Sequence, residues 1–134
     1  MKMSVLIEKP KVLVVDDDGG VVKTLLIVFS KAGYEARGVE SAEVALALIE
    51  AEQWVPQFAI VDVHLPAMNG IDLAIMFKGL YPNMRVSLFS GRPSTSDLLE
   101  VANRQGHSFE VLPKPVHPSV FLELLASTPS EDVD

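Results

Sequence analysis

Apolar positions along this chain fall into two alternating patterns, short continuous blocks and longer stretches with one apolar side. The blocks are Val12-Leu13-Val14-Val15, a weaker one over Tyr34 to Val39, Phe58-Ala59-Ile60-Val61, Val86-Ser87-Leu88-Phe89, and Phe109 to Leu112. Blocks this short, rich in Val and Ile and ended by Asp, Ser, Gly or Pro, predict strands. The first and third are apolar at successive positions, as strands buried on both faces of a parallel sheet must be.

The stretches between them have helical spacing. Val21, Val22, Leu25, Leu26 and Phe29 form one stripe, and Gly33 is placed to close that helix. Ser41 to Gln53 predicts a second helix with Ser41 as its N-cap. Gly70 to Leu80 predicts a third, with Pro82 just beyond it. Ser94 to Gln105 predicts a fourth, closed by Gly106, and Pro118 to Ala126 a fifth, with Pro118 in its first turn. Strands alternating with crossover helices predict an α/β fold, a parallel sheet covered on both faces. There is no internal repeat. Residues 11–126 read as one domain, preceded by a short extension over 1–10 and followed by an acidic tail over 127–134.

Composition narrows the chemistry. At 134 residues, 49% hydrophobic and 22% charged, the chain is long enough for one hydrophobic core and too apolar for a disordered segment. A net charge of −7 argues against gripping nucleic-acid phosphates or an anionic lipid surface. With no cysteine, disulfides, thiolate metal sites and Cys nucleophiles are excluded. No apolar run approaches a membrane span, and the first residues lack a signal-peptide core. A cytoplasmic location is the expectation.

The strand ends carry the candidate site. In doubly wound sheets, ligands bind outside the C-terminal strand ends, where strand order reverses. Here those ends hold Asp16-Asp17-Asp18, Asp62, Ser90-Gly91 and Lys114-Pro115. With strand order 2-1-3-4-5, the acidic residues would face one another across the first and third strands. Two carboxylates about 5 Å apart repel by roughly 3 kcal/mol at an effective dielectric near 20. A hard divalent cation relieves that repulsion, and oxygen ligands with room for water and phosphate suit Mg²⁺. A carboxylate nucleophile beside a metal, a lysine and a hydroxyl is the equipment of phosphoryl transfer.

Val14-Val15-Asp16-Asp17-Asp18, Ile60 to Gly70 around Asp62, Phe89-Ser90-Gly91 and Pro113-Lys114-Pro115 together resemble the four marks of response-regulator receiver domains. The resemblance runs from about Lys11 to Ala126 and implies the flavodoxin-like (βα)5 three-layer sandwich. It implies that Asp62 is the phosphoacceptor and that Mg²⁺ is held by Asp16, Asp17, Asp62 and the backbone carbonyl of His64. Of the acidic pair, the resemblance implies Asp17 as the direct ligand. Ser90 and Lys114 would move toward the phosphoryl group, and the Lys114–Pro115 bond would be cis. The implied donor is a histidine kinase or a histidine phosphotransfer protein in two-component signalling. The downstream partner is unknown, and the state is a monomer or a phosphorylation-dependent homodimer. The protein would be a switch with slow autodephosphorylation rather than a metabolic enzyme.

Other residues read more plainly. Asp18 is expected to cap the turn rather than touch metal. His107 and His117 read as surface turn residues, and Trp54, Met68, Met76 and Met84 as packing or loop-end residues. His64 and Arg92 either modulate phosphate lifetime or simply face solvent. Many receivers carry an aromatic residue three places before the lysine; that position here is Val111, so the usual aromatic switch is absent. Gly19-Gly20 has no nucleotide-loop pattern around it. Two rival classes remain, a phosphorylation-independent interaction domain and an aspartyl-nucleophile phosphohydrolase. The second wants an acidic residue two places past the nucleophile, where His64 stands.

Overall fold

A computed structural model of the chain describes residues 8–91 and 95–127. Its strands are β1 (Lys11–Val15), β2 (Glu35–Val39), β3 (Phe58–Asp62), β4 (Arg85–Ser90) and β5 (Val111–Pro113). Its helices are α1 (Gly19–Lys31), α2 (Ala42–Glu52), α3 (Gly70–Leu80), α4 (Thr95–Arg104) and α5 (Pro118–Ala126). All strand pairs are parallel, in the order β2-β1-β3-β4-β5, so β1 and β3 are neighbours at the reversal point. The architecture is the expected doubly wound three-layer sandwich.

Local signals explain the element ends. Asp18 caps α1, its Oδ1 accepting from the Gly20 and Val21 amides at 2.9 and 3.3 Å, as expected of it. At the other end Gly33 adopts φ 100°, and the amides of Gly33 and Tyr34 donate to the carbonyls of Ser30 and Phe29. This is a Schellman closure, and the Tyr34 ring packs against Phe29, centroids 6.4 Å apart. Tyr34 therefore belongs to the end of α1 rather than to the second strand. Ser41 caps α2 as predicted, and Asn69 caps α3. His117, expected only in a surface turn, caps α5 through Nδ1, which accepts from the Ser119 amide at 3.1 Å. The expected start of the fourth helix at Ser94 lies outside the described residues.

The fifth strand is the main departure. The apolar block begins at Phe109, yet pairing begins at Val111 opposite Leu88. Phe109 instead stacks on His107 and carries the Lys78 Nζ 5.3 Å from its ring centre. An edge strand has a neighbour on one side only, so local ring contacts compete with pairing there more easily than in the centre.

Two cores flank the sheet. One packs Leu13, Val15, Val61 and Leu88 against α2, α3 and α4 through Ile49, Leu73, Phe77 and Ala102. The other packs Val12, Val14, Ile60 and Phe89 against α1 and α5 through Leu25, Phe29 and Phe121. Strand alternation decides which core each residue joins. Trp54 and Met84 are buried, as expected of packing residues, while Met68 is half-buried and Met76 exposed. Among the described residues, no helix is long and apolar enough to cross a membrane.

Candidate functional site

Central strands β1 and β3 deliver Asp16 and Asp62 side by side, because Val15 pairs with Val61 in parallel register. Asp16 continues the β1 ladder through its amide, which donates to the Val39 carbonyl at 3.1 Å. Its side chain is fully buried, with Oδ1 accepting from the Asp18 amide at 3.0 Å. Asp62 is also buried, and its Oδ1 accepts from the His64 amide at 3.1 Å. Asp17 is exposed at the rim.

Lys114 closes the cluster from β5. Its Nζ lies 3.0 Å from Asp16 Oδ2 and 3.3 Å from Asp62 Oδ2. Its backbone amide donates to the Ser90 carbonyl at 2.8 Å, tying the ends of β4 and β5 together. The Lys114–Pro115 bond is cis. Ser90 is buried at the end of β4. Asp16, Asp17, Asp62, Ser90 and Lys114 thus all meet at the strand ends or their rim, 98 residues separating Asp16 from Lys114 along the chain. Half-buried His64 follows from β3, and Val111 is half-buried at the start of β5. Arg92 lies outside the described residues.

Burial raises the pKa of Asp62 to about 6, opposed by the His64 amide; the neighbouring Asp16 charge raises it further and Lys114 lowers it. Burial of Lys114 works against its charge, yet the hydrogen bonds and charges of Asp16 and Asp62 outweigh it and hold its pKa above the usual lysine value. The cluster therefore holds a tightly bound ammonium and a carboxylate that resists ionisation.

The donor set fits a hard divalent cation. Asp16, Asp17 and Asp62 each offer one carboxylate oxygen, all within 4.8 Å of one another. Two ligands of one Mg²⁺, each about 2.1 Å from it, can be at most about 4.2 Å apart, so small side-chain rotations would complete the set. Three carboxylates against one ammonium leave two negative charges when all are ionised, the charge that one divalent ion neutralises.

The loop from β3 to α3 is built tightly around Asp62. The Gly70 amide donates to the Val63 carbonyl at 2.8 Å. A Cβ on Gly70 would stand 2.1 Å from the Asp62 carbonyl oxygen, so only glycine permits this approach. Ala67 sits at φ 60°, a left-handed conformation unfavourable for a residue with a Cβ. Glu43 of α2 accepts from the Met68 amide at 3.3 Å. In the sequence Gly70 and Ala67 stand in the motif around Asp62 and Gly70 opens a helix, but no pattern there assigns Gly70 its close approach, Ala67 its left-handed turn or Glu43 its hold on the loop.

The family model described as the response regulator receiver domain matches residues 12–126. The chain belongs to this family. Among similar sequences, the chemotaxis protein CheY of Thermotoga maritima is 30% identical over 115 residues, covering 86% of this chain and 93% of that protein. The response regulator protein FleR of Pseudomonas aeruginosa is 33% identical over 116 residues, 87% of this chain. The receiver domain spans only 24% of FleR, 22% of the regulator NtrC of Proteus hauseri and 48% of the mycobacterial regulator PrrA. Among solved structures, a CheY-like receiver domain protein from Methanospirillum hungatei superposes with a TM-score of 0.76 at 27% identity, covering 88% of this chain and 91% of that one.

Proposed function

We propose that this receiver domain takes a phosphoryl group on Asp62 from a phosphohistidine of a histidine kinase or histidine phosphotransfer protein. The observation that carries this reading is the buried Asp62 carboxylate with Lys114 Nζ at 3.3 Å and the Asp16–Asp17 pair beside it. An Asp62 oxygen attacks phosphorus as the P–N bond of the donor breaks, leaving an aspartyl phosphate and a free imidazole. Mg²⁺, held by Asp16, Asp17, Asp62 and the His64 backbone carbonyl, would supply charge neutralisation for the phosphoryl oxygens. Lys114 pairs with one of those oxygens, and the Ser90 hydroxyl donates to another. Their inward movement biases the face of α4, β5 and α5 toward its partner-binding form. Val111, in the place of the usual aromatic, leaves that message to backbone and loop shifts.

Hydrolysis of the acyl phosphate resets the switch, and the His64 and Arg92 side chains set its rate. Equal dephosphorylation rates in His64→Ala and the parent chain would remove His64 from that role. The unit is residues 11–126, with 1–10 an extension and 127–134 a tail. It works in the cytoplasm as a signalling switch, monomeric or dimerising on phosphorylation. Its net charge of −7 speaks against direct DNA binding.

The deciding experiment is intact-protein mass after incubation with acetyl phosphate, with and without Mg²⁺, alongside Asp62→Ala. The expected result is a Mg²⁺-dependent gain of one phosphoryl group that the variant lacks. Failure with acetyl phosphate and with a phosphohistidine protein alike would overturn the reading in favour of an interaction domain.

A further inference from the structure

Beneath Lys114 lies a residue with no place in the phosphoacceptor chemistry described above. Along β4, Leu88 turns to the core under α2, α3 and α4, whereas Phe89 turns to the core under α1 and α5. There the Phe89 ring, 2% exposed, has the Lys114 Nζ 4.7 Å from its centre. The ammonium is thus bounded by Asp16 Oδ2, Asp62 Oδ2 and an aromatic face. That distance is within the range where a ring quadrupole attracts a cation.

The ring is itself held. Phe121 of α5 meets it nearly perpendicularly, centroids 5.5 Å apart at 88°. Phe121 in turn meets Phe29 of α1 at 6.4 Å and 84°. Such edge-to-face pairs favour defined ring orientations. A chain of rings therefore runs from α1 through α5 to the lysine.

We infer that Phe89 is a positioning residue for Lys114, holding its ammonium against the phosphoacceptor by a cation–π contact braced through Phe121. The inference rests on the phosphoacceptor reading of Asp62. A neutral ring suits this task better than another carboxylate. It restricts a flexible stem and keeps water from one side of the ammonium, yet carries no charge to compete with incoming phosphoryl oxygens. It also puts an aromatic residue on the α1–α5 side of the sheet, opposite the side where Val111 replaces one.

The test is the rate of Mg²⁺-dependent mass gain from acetyl phosphate in the full chain. Phe89→Leu and Phe89→Met remove the π face while keeping an apolar side chain. Each is expected to slow phosphorylation about fivefold at saturating donor, within what the loss of such a contact produces. Phe89→Tyr keeps the face in a residue that lines a cleft of about 750 Å³, so its rate should stay within about twofold of the parent. Val12→Ala opens the same core at the far end of β1, outside the chain of rings and away from Lys114, and should also stay within about twofold. Equal rates in Phe89→Leu and Val12→Ala would overturn the proposal, as would a Phe89→Tyr variant as slow as Phe89→Leu.

A double-mutant cycle on unfolding stability, pairing Phe89→Leu with Lys114→Ala, reads the contact without phosphorylation. Non-additive effects support it and additive effects sink it. A parent chain that accepts no phosphoryl group from either donor overturns the reading of Asp62 and, with it, this role for Phe89. The cycle shows separately whether the contact exists.

Discussion

The two faces of the sheet reach Asp62 by different means. On the α1–α5 face the approach is through aromatic side chains, Phe29, Phe121 and Phe89, ending on Lys114. On the α2–α4 face it is through backbone, with the α3 N-terminus drawn against the Asp62 carbonyl by Gly70 and the loop fastened by Glu43. Side-chain contacts can yield by rotating, whereas backbone fitted to backbone cannot. The difference predicts that equivalent substitutions will cost unequal amounts on the two faces.

The sharpest test compares two glycines. In Gly70→Ala the new Cβ meets the carbonyl of Asp62 itself, and we expect a loss of more than about 3 kcal/mol in chemical denaturation, with phosphorylation lost in step. In Gly38→Ala, on the α1 side, the Cβ meets the Cγ1 of Val22 at 2.3 Å, so a side chain rather than backbone has to give way. There we expect about 1–2 kcal/mol and a functional site. Equal losses would erase the distinction between the faces.

A second effect comes from Asp62, whose pKa is about 6 when folded against 3.8 as a model carboxylate. Between these values the folded chain binds more protons than the unfolded one, so stability falls as pH rises through that window. It levels off above the folded pKa. Without Mg²⁺ the loss should be on the order of 2–3 kcal/mol, and Asp62→Asn should flatten it. A parent curve as flat as that of the variant would show that burial does not strain Asp62.

Mg²⁺ affinity at the cluster should fall as pH drops below about 6, because the proton on Asp62 must leave first. Titration calorimetry at pH 5 and pH 7.5 reads this directly, and an unchanged affinity would remove Asp62 from the ligand set. The smallest effect is expected at Ala67, whose φ of 60° suits glycine. Ala67→Gly should stabilise the domain by up to about 1 kcal/mol in thermal unfolding.

Much of this was legible along the chain. The apolar blocks placed β1, β3 and β4 almost to the residue, because central strands are buried on both sides and leave continuous runs. Their ends carry Asp16, Asp62 and Ser90, and a carboxylate closing such a run has few structural reasons to be there. The edge was less legible. Phe109 looks like strand from its neighbours, but His107 and Lys78 capture it, and Lys78 lies 31 residues away.

What the sequence determined by itself is therefore the order of elements, the register of alternation and the residue types that stand at the strand ends. These follow from local periodicity and from residue types at strand ends. Only the tertiary structure decided which atoms meet. Phe89 reads as one more apolar residue until β5 brings Lys114 over its ring. Gly70 reads as a helix start until α3 closes on Asp62. Both contacts join elements whose separation is set by helix-on-sheet packing and by strand order, quantities that no local pattern contains.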